Sequence, residues 1–235
     1  MKRIVLSLGG SVLVPELESH RITGYASVLA EISGRHRLAV VVGGGGEARR
    51  YITAARKLGI DDGTADDLGI LVTRLNATLL AGALGEAAYP RIATTYDEAA
   101  GYASCGKIVV MGGVIPGQTT DAVAALLAER IRADLLVNAT SVDAIYSADP
   151  KKEPRAKRQD RLTPARLRDI LSVDRLKAGE STVFDMVAAR ILERSGVPLA
   201  VLDGRDPAIL RQAILEGEFS GTLVTAGKKS PFPLE

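Results

Sequence analysis

Three times in the first half of the chain a largely apolar run ends on glycine. Residues 4–8 lead into Gly9-Gly10-Ser11, 38–42 into four glycines at 43–46, and 107–111 into Gly112-Gly113. A strand apolar on both of its faces has none to offer water, so it must be covered on both sides. That condition is met by a parallel sheet held between two layers of helix. The spacing between the runs supplies the helices: 22–33, 47–59 with Gly59 as its stop, 65–85, 96–102, and 119–131, which Thr119 or Thr120 can cap. Residues 91–94 and 133–140 read as further strands. The rhythm continues with helices at 164–172, 182–196 and 207–215 and strands at 197–204 and 221–225. It is interrupted only by two Pro/Lys/Arg-rich pieces, 147–161 and 227–235. The expected fold is a three-layer α/β/α sandwich with a mostly parallel central sheet, one domain over residues 1–235 whose two lobes meet near residue 140.

Composition narrows the function. With 46% hydrophobic residues but only 4% aromatics and no Trp, the core is built from Ala, Val and Leu. A formal charge of +2, from 30 basic and 28 acidic residues, gives no basis for nucleic-acid binding, and stacking aromatics are nearly absent. Cys105 is the only cysteine, which excludes an internal disulfide and a Cys-based metal cluster. No apolar run approaches membrane-spanning length and no export signal opens the chain, so a soluble cytoplasmic protein is expected. His20 and His36 form no ligand-like pair with carboxylates; both are expected at the surface, with no protein-built metal site.

Glycine at the carboxyl end of a parallel strand lets backbone N–H groups close on phosphate oxygens, and the helix that follows adds its dipole. Two familiar phosphate-binding patterns are missing. No G-x-x-x-x-G-K-[ST] occurs, and position 48 is Ala where a dinucleotide fingerprint needs its last glycine. Either Arg49 or Arg50 is expected to face the phosphates, with the other in solvent.

Five blocks together resemble the amino acid kinase family and, within it, the uridylate kinases of archaeal type. They are "GGSVLVP" (9–15), "VVGGGGEARRYI" (41–52), "DDLGILVTRLNATLL" (66–80), "VMGGVIPGQTTDAVAALLAE" (110–129) and "ADLLVNATSVDAIYSADPKK" (133–152). The resemblance implies phosphoryl transfer from Mg·ATP to UMP in pyrimidine nucleotide synthesis, by a homohexamer. An acceptor-binding lobe would span roughly 1–138 and a nucleotide-binding lobe roughly 139–235. Carried over residue by residue, Gly9, Gly10, Gly45 and Arg49 would surround the ATP phosphates, while Thr140, Tyr146 and Asp149 hold the nucleoside end. Gly44, Asp66 and the run Val114, Ile115, Pro116, Gly117, Gln118, Thr119 and Thr120 would bind UMP. Arg49 and Asp121 would be catalytic, and Mg²⁺ would be held chiefly by the ATP phosphates and water.

Plainer roles compete at each position: Thr119 and Thr120 as helix caps, Asp66 or Asp67 as helix N-terminal acids, Tyr146 as a surface packer, Asp149 before Pro150 as a turn residue. Two departures from the family also stand out. The first-strand lysine of many members is Ser7 here, and a lysine that some carry late in the chain is Asp185. Arg49, the metal ion, or Lys151 or Lys152 could supply the missing charge. A kinase for an amino acid, carbamate or isoprenoid phosphate would leave Asp66 without a ribose to bind. An oxoanion-storage cage would call for more than two histidines, and a regulatory sensor for an appended module.

Overall fold

The computed structural model describes residues 1–148, 150, 153, 155–175, 184–227, 231, 232 and 234. β1 (Arg3–Leu8) is buried from its second residue onward. It ends on Gly9, which precedes the one-turn helix α1 (Gly10–Leu13). Helix α2 (Ile22–Ser33) leads to β2 (Arg37–Val42), and α3 (Gly45–Lys57) follows directly from its glycines. Gly59, at φ +77°, terminates α3 as the sequence predicts. Then come α4 (Asp62–Leu84), α5 (Tyr96–Tyr102), β3 (Val109–Met111), α6 (Thr120–Arg130) and β4 (Leu135–Thr140). β5 (Ile145–Tyr146) and β6 (Arg158–Gln159) make a separate antiparallel pair. β7 (Arg161–Leu162), α7 (Pro164–Arg175), α8 (Met186–Ser195), β8 (Leu199–Asp203), α9 (Pro207–Arg211) and β9 (Thr222–Val224) complete the order, with one wide helical turn at Gln212–Glu216 after α9.

The seven-stranded sheet runs β3-β2-β1-β4-β8-β9-β7. The first five strands are parallel, and β9 turns back against β8 with β7 alongside it. Alternate residues of β1 feed two cores. Ile4, Leu6 and Leu8 pack with Tyr25 and Leu29 of α2 and Leu80 of α4. Val5 and its neighbours Ala39 and Val41 pack with Val123 and Leu127 of α6 and Leu192 of α8. Both faces are therefore dry, which is why these strands carry no polar alternation.

Several expectations need correction. Residues 91–94 are not a strand: only Ala93 bridges, to Met111, while Ala88 bridges to Ile108. Helix α4 starts at Asp62 rather than 65, because Asp61 caps it by accepting from the Thr64 amide at 3.0 Å. The helix expected over 182–196 begins at Met186, capped by Asp185, whose carboxylate accepts from Ala188 N at 2.9 Å. α4 is also long and apolar enough to cross a membrane by composition alone, against expectation, but Ala65, Ala77 and Leu80 bury one side of it completely. His36, expected at the surface, is only 5% exposed. It packs where α2 passes into β2, its amide donating to Ile32 O at 3.0 Å. His20 is exposed as expected.

Candidate active site

The carboxyl ends of four of the five parallel strands, β2, β1, β4 and β8, are stitched into one edge. Gly43 N donates to Leu8 O at 2.9 Å, Gly9 N to Ala139 O at 3.0 Å, and Gly204 N to Thr140 O at 2.7 Å. Strand order reverses at β1, with β2 and β3 to one side and β4 and β8 to the other, so the crevice at this edge is the natural ligand position.

Two glycine loops interlock there. A Cβ on Gly43 would lie 2.6 Å from Gly10 N, and one on Gly45 would lie 2.6 Å from Gly10 C. Gly45 also sits at φ +67°, where a side chain is strained. The glycines thus let α1 and α3 begin within backbone contact of each other, and two helix N-termini open onto one point. Their unpaired amides suit an anion. Gly46, by contrast, has open space around it.

α4 holds the loops from beneath. Asn76 Nδ2 donates to Gly43 O at 3.0 Å, and Gly113 N donates to Thr73 Oγ1 at 2.7 Å. Arg74 Nε donates to Gly113 O at 3.2 Å. Sequence reasoning gave these three no role. The available signal was two polar residues, Thr73 and Asn76, on a helix face otherwise filled by Gly69, Ile70, Ala77 and Leu80.

A cavity of about 310 Å³ opens beside the loops, lined by Ala48, Ile52, Asp66, Thr73, Ile115, Gly117, Gln118, Thr119 and Thr120, among others. Most of the expected acceptor-side residues are therefore together; Gly44 lies behind them, against Thr73, and Val114 and Pro116 lie in the same loop outside the lining. Asp66 is in the second turn of α4, so it is not a helix N-terminal acid. Its Oδ2 accepts from Gly117 N at 2.8 Å and pins the loop over the cavity. Gln118 is fixed by the Tyr96 hydroxyl, which donates to Oε1 at 2.9 Å. Of the two threonines, Thr119 is the cap, accepting from Ala122 N at 3.2 Å. The Thr120 hydroxyl has no partner among the described residues and is free for a ligand. Of the two arginines, both exposed, Arg50 pairs with Glu47 at 2.8 Å, while Arg49 has no ion-pair partner among the described residues.

On the other side of the crevice, Thr140 ends β4 and Tyr146 lies in β5, half-buried, its hydroxyl donating to Asp143 at 3.2 Å. Asp149, Lys151 and Lys152 lie outside the described residues.

The floor of the crevice holds Asp121, the second residue of α6. Ser7 Oγ donates to Asp121 Oδ1 at 2.8 Å. Burial pushes the Asp121 carboxyl up to about 6; the Ser7 hydrogen bond opposes the shift and the nearby Asp185 carboxylate reinforces it. The two departures from the family pattern therefore meet on one carboxylate: Ser7 is bonded to Asp121, and Asp185 is close enough to raise it. Asn138, opposite Ser7 in the β1–β4 register, is buried with its Nδ2 unpartnered. Asp121, Asp185, Ser7 and Asn138 are hard oxygen donors of the kind Mg²⁺ takes. Among the described residues no three carboxylate, His or Cys side chains form a metal cluster. The set therefore fits a cation held largely by phosphate oxygens and completed by one or two carboxylates.

Ionised Asp121 is the form that can orient a cation or accept hydrogen bonds, so turnover should fall as pH drops below about 6. In S7A the carboxylate loses its donor, and the break in a kcat/KM profile should move to higher pH. An unmoved break would remove Asp121 from the rate-determining ionisation.

The sequence matches the amino acid kinase family over residues 2–203. A protein of Methanoculleus marisnigri named "Uridylate kinase" is 61% identical over 233 residues, covering 99% of this chain and 100% of that protein. One of the same name from Methanospirillum hungatei is 57% identical, with full coverage of both. Among solved structures, uridylate kinase from Archaeoglobus fulgidus superposes with a TM-score of 0.85 at 44% identity, covering 96% of this chain and 100% of that one. UMP kinase from Bacillus anthracis gives 0.77 at 25% identity, covering 95% and 96%.

Proposed function

This chain belongs to the amino acid kinase family, and on that premise we propose that it transfers the γ-phosphoryl group of Mg·ATP to UMP, giving ADP and UDP. The observation that carries this reading is identity of 61% across essentially the whole of a relative named for uridylate phosphorylation. Support comes from the cavity that places Asp66 and the free Thr120 hydroxyl beside the glycine crevice. An oxygen of the UMP phosphate attacks the γ-phosphorus as the bond to the β–γ bridging oxygen breaks. Phosphoryl transfer of this kind is catalysed mostly by alignment and charge.

In this account the amides at Gly10 and Gly45 cradle the ATP phosphates, Gly9, whose own amide is held by Ala139 O, sets the turn beside them, and Arg49 reaches the transferring group. Thr140, Tyr146 and Asp149 hold the nucleoside. Gly44, Asp66 and residues 114–120 take UMP, with Asp66 accepting from ribose hydroxyls and Thr120 donating to the phosphate or the base. The lobe boundary falls inside β4, so acceptor and donor approach from opposite sides of the central strand pair. Mg²⁺ would supply positive charge on the phosphate oxygens, which the absent lysines do not, and Asp121 and Asp185 would be the protein-side oxygens to hold it. A homohexamer working in the cytoplasm belongs to the same proposal.

The test is ADP production with Mg·ATP and, in parallel, UMP, CMP, dUMP, acetylglutamate, carbamate, isopentenyl phosphate or no acceptor. Turnover with UMP and not with the amino acid, carbamate or isoprenoid acceptors is expected; turnover with one of those instead would overturn the assignment. The variant T120V, which keeps the Thr119 cap and the shape of the side chain, should raise KM for UMP about tenfold, the worth of one lost hydrogen bond to a charged group. An unchanged KM would place Thr120 outside the acceptor site.

A further inference from the structure

At the opposite, amino-terminal edge of the sheet lies a second cavity, of about 480 Å³. Arg3 opens β1, Arg37 opens β2, and Arg130 and Arg132 stand at the end of α6; all four line it. Arg130 is paired with Asp97. The guanidinium groups of Arg3, Arg37 and Arg132 have no ion-pair or hydrogen-bond partner among the described residues. Asp134, two residues after Arg132, accepts from the backbone amide of Arg3 at 2.8 Å. Gathering like charges around one concavity raises their mutual repulsion unless an anion joins them.

Arg132 adds an independent observation. It is the one non-glycine residue with positive φ among those described, at +52°. The position is the left-handed residue after α6, where Arg132 N donates to Glu129 O at 3.1 Å and Ala133 N to Ala128 O at 2.8 Å. Glycine is the ordinary choice there, and a long side chain in this conformation is strained. Local stability thus disfavours arginine at a position that lines the cavity.

We propose that this arginine-lined cavity is a second anion site, separate from the catalytic crevice, that takes a di- or triphosphate group. Planar guanidiniums bind such oxygens in pairs. The floor of Leu38, Ala39 and Ala103 gives an attached apolar body something to rest on, so the source is either free polyphosphate or a small phosphorylated metabolite.

Isothermal titration of inorganic tripolyphosphate and of CTP into the wild type, R37Q and R132G tests the proposal. The wild type should bind two equivalents of tripolyphosphate per chain, one displaced by a non-hydrolysable ATP analogue and one not. R37Q and R132G should each lose the second equivalent or weaken it at least tenfold, while UMP binding stays at the wild-type value. R132G should at the same time melt higher by about 2–4 °C, as a relieved left-handed residue predicts, which separates lost binding from lost structure. CTP binding more tightly than tripolyphosphate assigns the site to a metabolite; equal affinity assigns it to the phosphate chain alone. One equivalent in all three proteins, or two in all three, overturns the proposal. Failure of the kinase reading would remove only the equivalent competed by the ATP analogue.

Discussion

Alanine at Gly10 is expected to lower kcat/KM by at least about 100-fold and to destabilise the chain by about 3 kcal/mol. Its Cβ would fall 2.5 Å from the carbonyl carbon of Gly43, and the Gly45 backbone blocks the remaining direction. Neither neighbour is a flexible side chain that can swing away. The two glycine loops must part, and with them the N-termini of α1 and α3, whose amides are proposed as the phosphate cradle. A shift of about 1 Å in such a cradle is enough for a loss of that size. Gly46 is the control: with nothing near its Cβ position, G46A should leave the melting temperature within about 2 °C of wild type, since surface changes away from special backbone are usually worth under about 0.5 kcal/mol. Equal melting temperatures and equal turnover for G10A and the wild type would mean that the interlocked loops are not the donor site.

The second large effect divides stability from activity. D121N should cost roughly 100-fold or more in kcat, comparable to removing one preorganised electrostatic group, and should melt higher than the wild type at pH 8. The sign follows from the raised carboxyl, from 3.8 to about 6. Below pH 4 the group is protonated in both folded and unfolded chains and costs nothing. Between about 4 and 6 the unfolded chain ionises first, so stability falls as pH rises. Above about 6 the folded protein carries the full penalty, roughly 2–3 kcal/mol at 1.36 kcal/mol per unit. Asparagine removes that penalty and still accepts from Ser7. The gain in melting temperature should therefore appear at pH 8 and vanish at pH 4. A variant less stable than wild type at pH 8, or as active, would contradict the role given to Asp121.

Much of the architecture was legible because its cause is local. Apolar runs such as "LAVVV" at 38–42 leave no alternative to a doubly covered strand, and the glycines after them mark where those strands end. Gly59 and the Thr119-Thr120 pair announce their helix termini by chemistry that needs no tertiary partner. What was not legible depended on distant partners. Residues 91–94 look extended and apolar enough for a strand, yet β3 offers them only one bridging position. His36 sits among arginines in the sequence, but the turn from α2 into β2 folds its ring inward. The pairing of β5 with β6 joins residues separated by the basic segment, across which no periodic pattern runs.

The site divides in the same manner. Glycines and the threonine pair could be placed from the sequence, since close backbone approach and helix capping are written in residue type. Which arginine is already paired, and which threonine caps α6, required seeing the neighbours. Least legible was the convergence of Ser7, Asp121 and Asp185. They stand 114 residues apart for the first pair, and only the sheet and the α6–α8 packing bring them to one point. As separate substitutions they read as two lost lysines; together they form an acidic floor suited to a cation.

The central claim is that the glycine crevice and the Asp66–Thr120 cavity are the two halves of one phosphoryl-transfer site. It is tested most directly by a single turnover with ATP labelled at the γ-phosphate and excess enzyme, with UMP present. The label should pass to UDP without appearing as inorganic phosphate, in the wild type and, much more slowly, in D121N. Label released as inorganic phosphate, or retained on ATP while UMP is bound, would contradict it.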